Sequence, residues 1–454
     1  MKLFPPPLVV GNTEGFTAEN DLFGRKPIAE GMTNLLTKVS SPLTVAVDGQ
    51  WGSGKTVFLK MWAGELRKQN IPVAYFDAFA NDHNEDAFSA IAQNLISLAR
   101  DSERKISSTT RNFVAAAENM SRMFASAALK TTLRVATQGM LDATTLQRLA
   151  ETAKEQAGTV TDAMIDNLLK EQEAKESRLL AFRQALEQLP ALLSKQGKST
   201  PALPPLIVIV DELDRCRPTF AVELLECIKH FFTVDRTHFV LGLHTGQLLN
   251  SIRAVYGPGI DAAQYLEKFI HLNVFLTGEQ RSFQDLNIVK YVLHWKRQME
   301  IPPALSADFD DAVQLIIHIA ESRSLEIRSI QRILSNLTLA ITTAPQHWFR
   351  EPILLAGLSV LKALHPEAYK QAKAGTLIFE DAKLLLALNK SPRDELEAHV
   401  RQAIFLWEHC TGANVSPELS IQWRVKFRVQ SRQELPYLVS QIMDFWGERA
   451  PPLS

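Results

Sequence analysis

Short apolar runs alternate with stretches of helical spacing over much of the first 280 residues. LTVAV (43–47) leads into a glycine-rich turn, and VFLKMWAGELRK (57–68) then carries its apolar positions at helical intervals. IPVAYFDAF (71–79) reads as a second strand, and DAFSAIAQNLISLAR (86–100) as the helix after it. LIVIV (206–210) is apolar throughout, as expected of a central parallel strand covered on both faces. A helix is predicted over about 219–233. HFVLGLH (238–244) is a fourth strand, expected beside LIVIV. Strands alternating with helices predict an α/β fold with a mainly parallel sheet.

Two regions depart from this alternation. Residues 101–198 are rich in Ala, Leu, Glu, Lys, Gln and Arg. Ile165, Leu168 and Leu169, then Leu179, Phe182, Leu186 and Leu189, keep helical spacing. This predicts a large helical insertion, closed by the linker KQGKSTPALPP (195–205). Within it, residues 113–136 read as an amphipathic helix packed on a neighbour, with contact to a membrane surface as the alternative. Beyond about residue 280 the pattern is helical in SFQDLNIVKYVLHWKRQM, FDDAVQLIIHIAESR and IRSIQRILSNLTLAI, punctuated by prolines at 302, 303, 345 and 352.

Composition changes this picture little. Hydrophobic content is 46%, charged content 22%, and the formal net charge −1, so no global basic field recruits nucleic acid or anionic lipid. Three cysteines, Cys216, Cys227 and Cys410, have neither disulfide-framework nor metal-ligand spacing. No stretch reaches the roughly 18 apolar residues of a membrane span, and MKLFPPPLVV lacks the apolar core of a signal peptide. A cytoplasmic protein with no transmembrane segment is expected.

The chemistry sits in the turn after the first strand. GQWGSGKT (49–56) places Gly49, Gly54, Lys55 and Thr56 in the spacing of a phosphate loop, after a strand and before a helix. Glycines let backbone N–H groups face phosphate oxygens, and the helix N-terminus favours the same anion. Gly49, Trp51, Gly52, Ser53, Gly54, Lys55, Thr56 and Val57 are therefore the expected nucleotide-binding stretch. Lys55 would also act in catalysis, and Thr56 would hold Mg2+. LIVIVDELDRC supplies an acid pair at a strand end. Asp211 is expected on Mg2+, and Glu212 is placed to polarise an attacking water. A solvated Glu212 carboxylate is the plain alternative. His244, ending the fourth strand, either contacts the γ-phosphate or its water, or simply closes the strand. Arg215 and Lys268 have two readings each, an arginine-finger-like role toward a neighbouring subunit or an internal ion pair.

These residues resemble a known family. GQWGSGKT with its internal tryptophan, the DELDRC box and YLEKFI (265–270), in that order, are similar to the KAP P-loop NTPases, over residues about 17 to 340. DLFGR (21–25) resembles the family's opening motif, which lies near the nucleotide base in related ATPases. This adds Gly24 and Arg25 to the expected binding residues. FDAF (76–79) stands where the family commonly has FNAW, with Phe79 in place of the tryptophan. SLEIRSIQRILSNL (324–337) resembles the lid element without its proline. Arg328 and Arg332 stand near its basic positions, and Arg328 is the expected catalytic lid residue. The resemblance implies a P-loop NTPase related to AAA+ and STAND ATPases. Its expected parts are a core over 1–100 and 199–280, the insertion over 101–198, a helical lid over 281–345 and a helical C-terminal domain over 346–454. It also implies ATP and Mg2+ as ligands, frequent homo-oligomerisation, and phage exclusion and defence for bacterial members.

The expected function is thus an ATP-hydrolysing switch acting with an effector or sensor protein. The alternative from another class is a nucleotide-stabilised scaffold with little turnover. A phosphotransferase is disfavoured by Glu212. Nucleic-acid motion rests on Arg424, Lys426, Phe427, Arg428 and Arg432, for which a solvated face is the favoured reading.

Overall fold

The computed structural model describes residues 10–84, 86–102, 107–125, 162–194, 203–276, 281–343, 351–411 and 434–444. Two compact units emerge. One is built on Val9–Gln50 and Gly54–Thr277. The other is built on Gly278–Ser454, with which Trp51–Ser53 are grouped.

The first unit is a parallel sheet between helical layers. Its strands are β1 (Thr44–Asp48), β2 (Val73–Asp77), β3 (Leu206–Asp211), β4 (Thr237–Leu243) and β5 (Leu272–Phe275). They run in the order β2-β3-β4-β1-β5, and every pairing is parallel. Every residue of β1, β3 and β4 is buried, which is why these strands read as continuous apolar runs. The pairing of β4 with β3 is as expected from the sequence. The fifth strand is not marked by the hydrophobic pattern. Leu272 and Phe275 are exposed on it, and among the described residues its strand partner is β1.

Alternate residues of the strands feed two cores. Val45, Val47, Ile207, Ile209 and Val240 meet the helices α1 (Lys26–Lys38) and α2 (Lys55–Lys68) through Leu36, Phe58, Leu59 and Trp62. Trp62 is fully buried, and its indole N–H donates to Thr33 Oγ1 at 2.9 Å. Ala74, Phe76, Val208, Val210 and Leu241 face the other way. The helices on that side include α3 (Ala78–Asn81), α4 (Ala87–Asp101), α5 (Ser108–Ala125), α6 (Asp162–Glu187), α7 (Leu189–Leu193), α8 (Pro218–Phe231), α9 (Thr245–Tyr256) and α10 (Ala262–Glu267). The described part of the insertion is helical, and it packs Phe113 and Phe182 beside Phe88 and Phe232. Phe182, Leu186 and Leu189, three of the residues that predicted the helix, are fully buried.

The second unit is helical where described. α11 (Arg281–Gln298), α12 (Pro303–Ser322), α13 (Ile327–Thr343), α14 (Pro352–Leu364), α15 (Pro366–Ala374), α16 (Phe379–Leu385) and α17 (Glu397–Thr411) share one apolar core. Three of these helices begin on prolines, at 303, 352 and 366, where the missing N–H costs nothing. Arg424, Lys426, Phe427, Arg428 and Arg432 lie outside the described residues, as does residue 126 onward of the amphipathic stretch 113–136. Among the described residues no helix is long and apolar enough to cross a membrane. The three cysteines are buried and unbridged.

Candidate active site

The parallel sheet brings three strand ends to one edge. β1 ends at Asp48 and runs into the loop of residues 49–54. β3 ends at Asp211 and passes into Glu212. β4 ends at Leu243 and passes into His244. Ligands of open parallel sheets bind at such carboxyl ends.

The loop has the conformation its glycines predict. Gly52 and Gly54 both have φ +84°, a left-handed geometry that side chains resist. The helix α2 starts at Lys55, two residues earlier than its apolar pattern suggests, so its first turn abuts the loop. Lys55 is buried, and its ammonium donates to the carbonyls of Gly49 and of Gln50, the latter at 3.1 Å. Burial lowers its pKa, while the carboxylates of Asp214, Asp211 and Asp48 act to raise it. Ser53 Oγ is buried and has no hydrogen-bond partner among the described residues. Trp51 is 40% exposed and Val57 half-buried at the start of α2.

Thr56, Asp211 and Glu212 come together. Thr56 Oγ1 donates to Glu212 Oε1 at 3.4 Å. Asp211 is buried, and its Oδ1 accepts the Glu212 N–H at 2.9 Å. Glu212 has φ 60° and ψ 28°, a conformation that costs a non-glycine residue roughly 1 kcal/mol or more. Burial raises its pKa and the Arg215 guanidinium lowers it. Arg215 Nη1 stands 2.6 Å from Glu212 Oε1, so the internal ion pair among its two readings is formed.

Several neighbours complete the edge. Asp48, just before the loop, accepts the Thr245 N–H at 3.1 Å and the Thr245 hydroxyl at 2.6 Å, tying the end of β1 to the start of α9. His244 is the residue preceding that helix. Gly24 takes φ +59° with nothing within 4 Å of an added Cβ. Arg25 precedes α1, with its N–H on Asp21 Oδ1 at 2.8 Å and its guanidinium 4.9 Å from the Phe23 ring. A Cβ built on Gly54 would lie 3.2 Å from Arg25 Nη1, so this cation borders the phosphate loop itself. Burial holds the Arg25 pKa down to about 10, so it stays charged at neutral pH. Lys268 caps α10 and lies over the Tyr265 ring, 5.4 Å from its centre. Arg328 is the second residue of α13, in the helical unit.

Two residues at the edge escaped the reading of the sequence. Tyr75 on β2 donates its hydroxyl to Asp211 Oδ2 at 2.5 Å. Gly242 on β4 lies under the same carboxylate, since a Cβ there would come within 2.6 Å of Asp211 Oδ1. A glycine inside an apolar strand is a recognised sign of close approach, so HFVLGLH held that clue. Nothing local marks Tyr75.

The residues present fit a magnesium nucleotide. The loop offers glycine-permitted backbone donors, a buried Ser53 hydroxyl without a partner among the described residues, and an ammonium held on the loop's own carbonyls. Thr56 and Asp211 supply hard oxygen ligands of the kind Mg2+ takes alongside phosphate.

Comparison with known protein families identifies a P-loop domain. The KAP family P-loop domain matches residues 25–343, well over half of the chain. No curated protein matches the chain. Two solved structures of the ORC2 protein of Aeropyrum pernix are similar to it. One holds ADPNP–ADP complexes, with 12% identity, 97% of each chain covered and a TM-score of 0.36. The other is the ADP form, with 12% identity, 88% of each chain covered and a TM-score of 0.35.

Proposed function

Since this chain belongs to the KAP family of P-loop domains, we propose that it binds ATP with Mg2+ and hydrolyses it as a molecular switch. The observation that carries the proposal is the convergence of Thr56, Asp211 and Glu212 beside the Lys55 loop. Backbone N–H groups of the loop and the α2 N-terminus would receive the phosphates, with Lys55 adding a point charge at the β/γ-phosphates. Mg2+, held by Thr56 and Asp211, would neutralise charge on the transferred phosphoryl group. Glu212 would accept a hydrogen bond from the attacking water and orient it. Arg25, bordering Gly54, adds positive charge at the loop.

A second reading is favoured by one observation. Arg215 occupies the Glu212 carboxylate at 2.6 Å, which suits a nucleotide-stabilised scaffold with little turnover until something withdraws Arg215. On either reading we place the protein in the cytoplasm, acting with an effector or sensor protein, in the anti-phage setting that the family resemblance suggests.

The test is steady-state ATP turnover of the wild type beside Glu212→Gln, with bound nucleotide measured in both. Turnover by the wild type and a fall of about 100-fold or more in a variant that still binds ATP is expected of a water-orienting base. Equal turnover in both removes Glu212 from the chemistry. ATP retained by both without turnover selects the scaffold.

A further inference from the structure

We infer that Tyr75 is a positioning residue for the metal-holding carboxylate: its hydroxyl fixes the rotamer in which Asp211 meets Mg2+. The inference rests on the proposed Mg-dependent ATP binding and adds to it a residue outside the loop and the acid box.

Asp211 is held from three sides. Tyr75 donates to Oδ2 at 2.5 Å. The Glu212 N–H donates to Oδ1 at 2.9 Å. The backbone of Gly242 forms a floor with no Cβ, and one added there would stand 2.6 Å from Oδ1. A carboxylate gripped at both oxygens has its plane set before any cation arrives. An ungripped one samples several rotamers and loses that freedom on binding.

Tyr75 is itself held, which separates a positioning device from a chance contact. Its backbone sits in register with Ile209, two residues before Asp211 on the neighbouring strand, so both side chains leave the sheet on the same face. Asn94 Nδ2 on α4 donates to its carbonyl at 3.1 Å. Lys60 on α2 lies over its ring, 5.7 Å from the centre. Strand, flanking helix and phosphate-loop helix thus all fix the phenol that fixes the acid.

The test is Tyr75→Phe, which deletes one oxygen and keeps the ring. Affinity for a fluorescent ATP analogue is titrated against Mg2+ and again in EDTA, alongside thermal unfolding. The variant is expected to bind the analogue in EDTA as the wild type does. It should need about tenfold more Mg2+ for half-maximal enhancement, the low end for removing a partner of a metal-holding group. An unchanged Mg2+ midpoint against a Mg2+-dependent wild type overturns the inference and leaves the proposed function standing. A parallel loss of EDTA binding and of thermal stability marks Tyr75 as structural and also overturns it. A wild type whose binding ignores Mg2+ removes the underlying reading, and the inference with it.

Discussion

Gly242→Ala tests the site at its tightest point. The added methyl would lie 2.5 Å from Leu59 Cδ1, 2.6 Å from Asp211 Oδ1 and 3.5 Å from Asp211 Cα. Carbon atoms prefer about 3.5–4.0 Å, so Leu59 must retreat by roughly 1 Å. Leu59 is fully buried between α2 and the sheet, among Val45, Val47 and Ile209, and has little room to do so. Overpacking of this kind costs about 1–3 kcal/mol. The carboxylate yields more easily by rotating, but rotation breaks the bonds to the Glu212 N–H and the Tyr75 hydroxyl. Two effects are therefore expected. Urea denaturation should show a loss of about 1–3 kcal/mol. ATP turnover at saturating Mg2+ should fall by about tenfold or more even where the variant is fully folded. Binding in EDTA should change little, because Lys55 and its loop are untouched. Gly246→Ala is the control. Its Cβ would have only an ordinary 3.5 Å contact with the His244 ring, and it lies within α9, so a neutral or slightly stabilising effect is expected. A Gly242→Ala protein with wild-type stability and turnover would refute the close approach of Asp211 to β4.

Three further perturbations separate the parts of the molecule. Lys55→Ala removes the buried ammonium and should weaken ATP about 10- to 100-fold in a fluorescence titration, as loss of a charge-assisted bond implies. Arg215→Ala frees the Glu212 carboxylate and should raise basal turnover about two- to fivefold, the reach of a partly exposed pair. A fall of about 100-fold would instead assign Arg215 to the phosphate. Glu351, buried at the start of α14, has its carboxyl pushed up to about 7 by burial and by the charges of Asp311 and Asp308, against a bond from the Ile353 N–H. Its folded pKa exceeds its unfolded one, so its stabilisation is full below about pH 4.5 and is lost as pH rises through about 7. The loss is on the order of 3 kcal/mol at most. Denaturation at pH 5 and pH 8 should show Glu351→Gln flattening that decline.

How much was legible follows from where the physics is local. A strand covered on both faces must be apolar along its length, so LIVIV and HFVLGLH declared themselves. The phosphate loop is a run of eight residues whose glycines, lysine and threonine answer to one ligand, and it is contiguous in the chain. β5 was hidden because an exposed edge strand of four residues, LNVF, needs no apolar continuity. Tyr75 was hidden because its partner lies 136 positions away. Only the register of β2 against β3 brings them together. The Arg215–Glu212 pair was weighed from the spacing, since residues three apart in a tight turn can meet. Its outcome depended on the left-handed turn at Glu212, which sequence does not announce.

The strand order explains why these parts form one site. β1 and β3 are not neighbours, because β4 lies between them. Strands lie about 4.7–4.9 Å apart, so the phosphate loop after β1 and the acid pair after β3 are separated by roughly 9–10 Å of sheet. That width accommodates a phosphate group and a water. Two side chains reach inward across it, Thr56 from the loop side and Glu212 from the acid side, and meet at 3.4 Å. Gly242 keeps the middle strand low enough for Asp211 to lie across it, and His244 stands at that strand's end. Thr56 and Asp211 would hold a cation there, while Arg215 pairs with the Glu212 carboxylate at 2.6 Å. The middle strand is thus the part most exposed to small changes in bulk. A single methyl on it reaches Asp211 directly, as does a change at Tyr75 on β2.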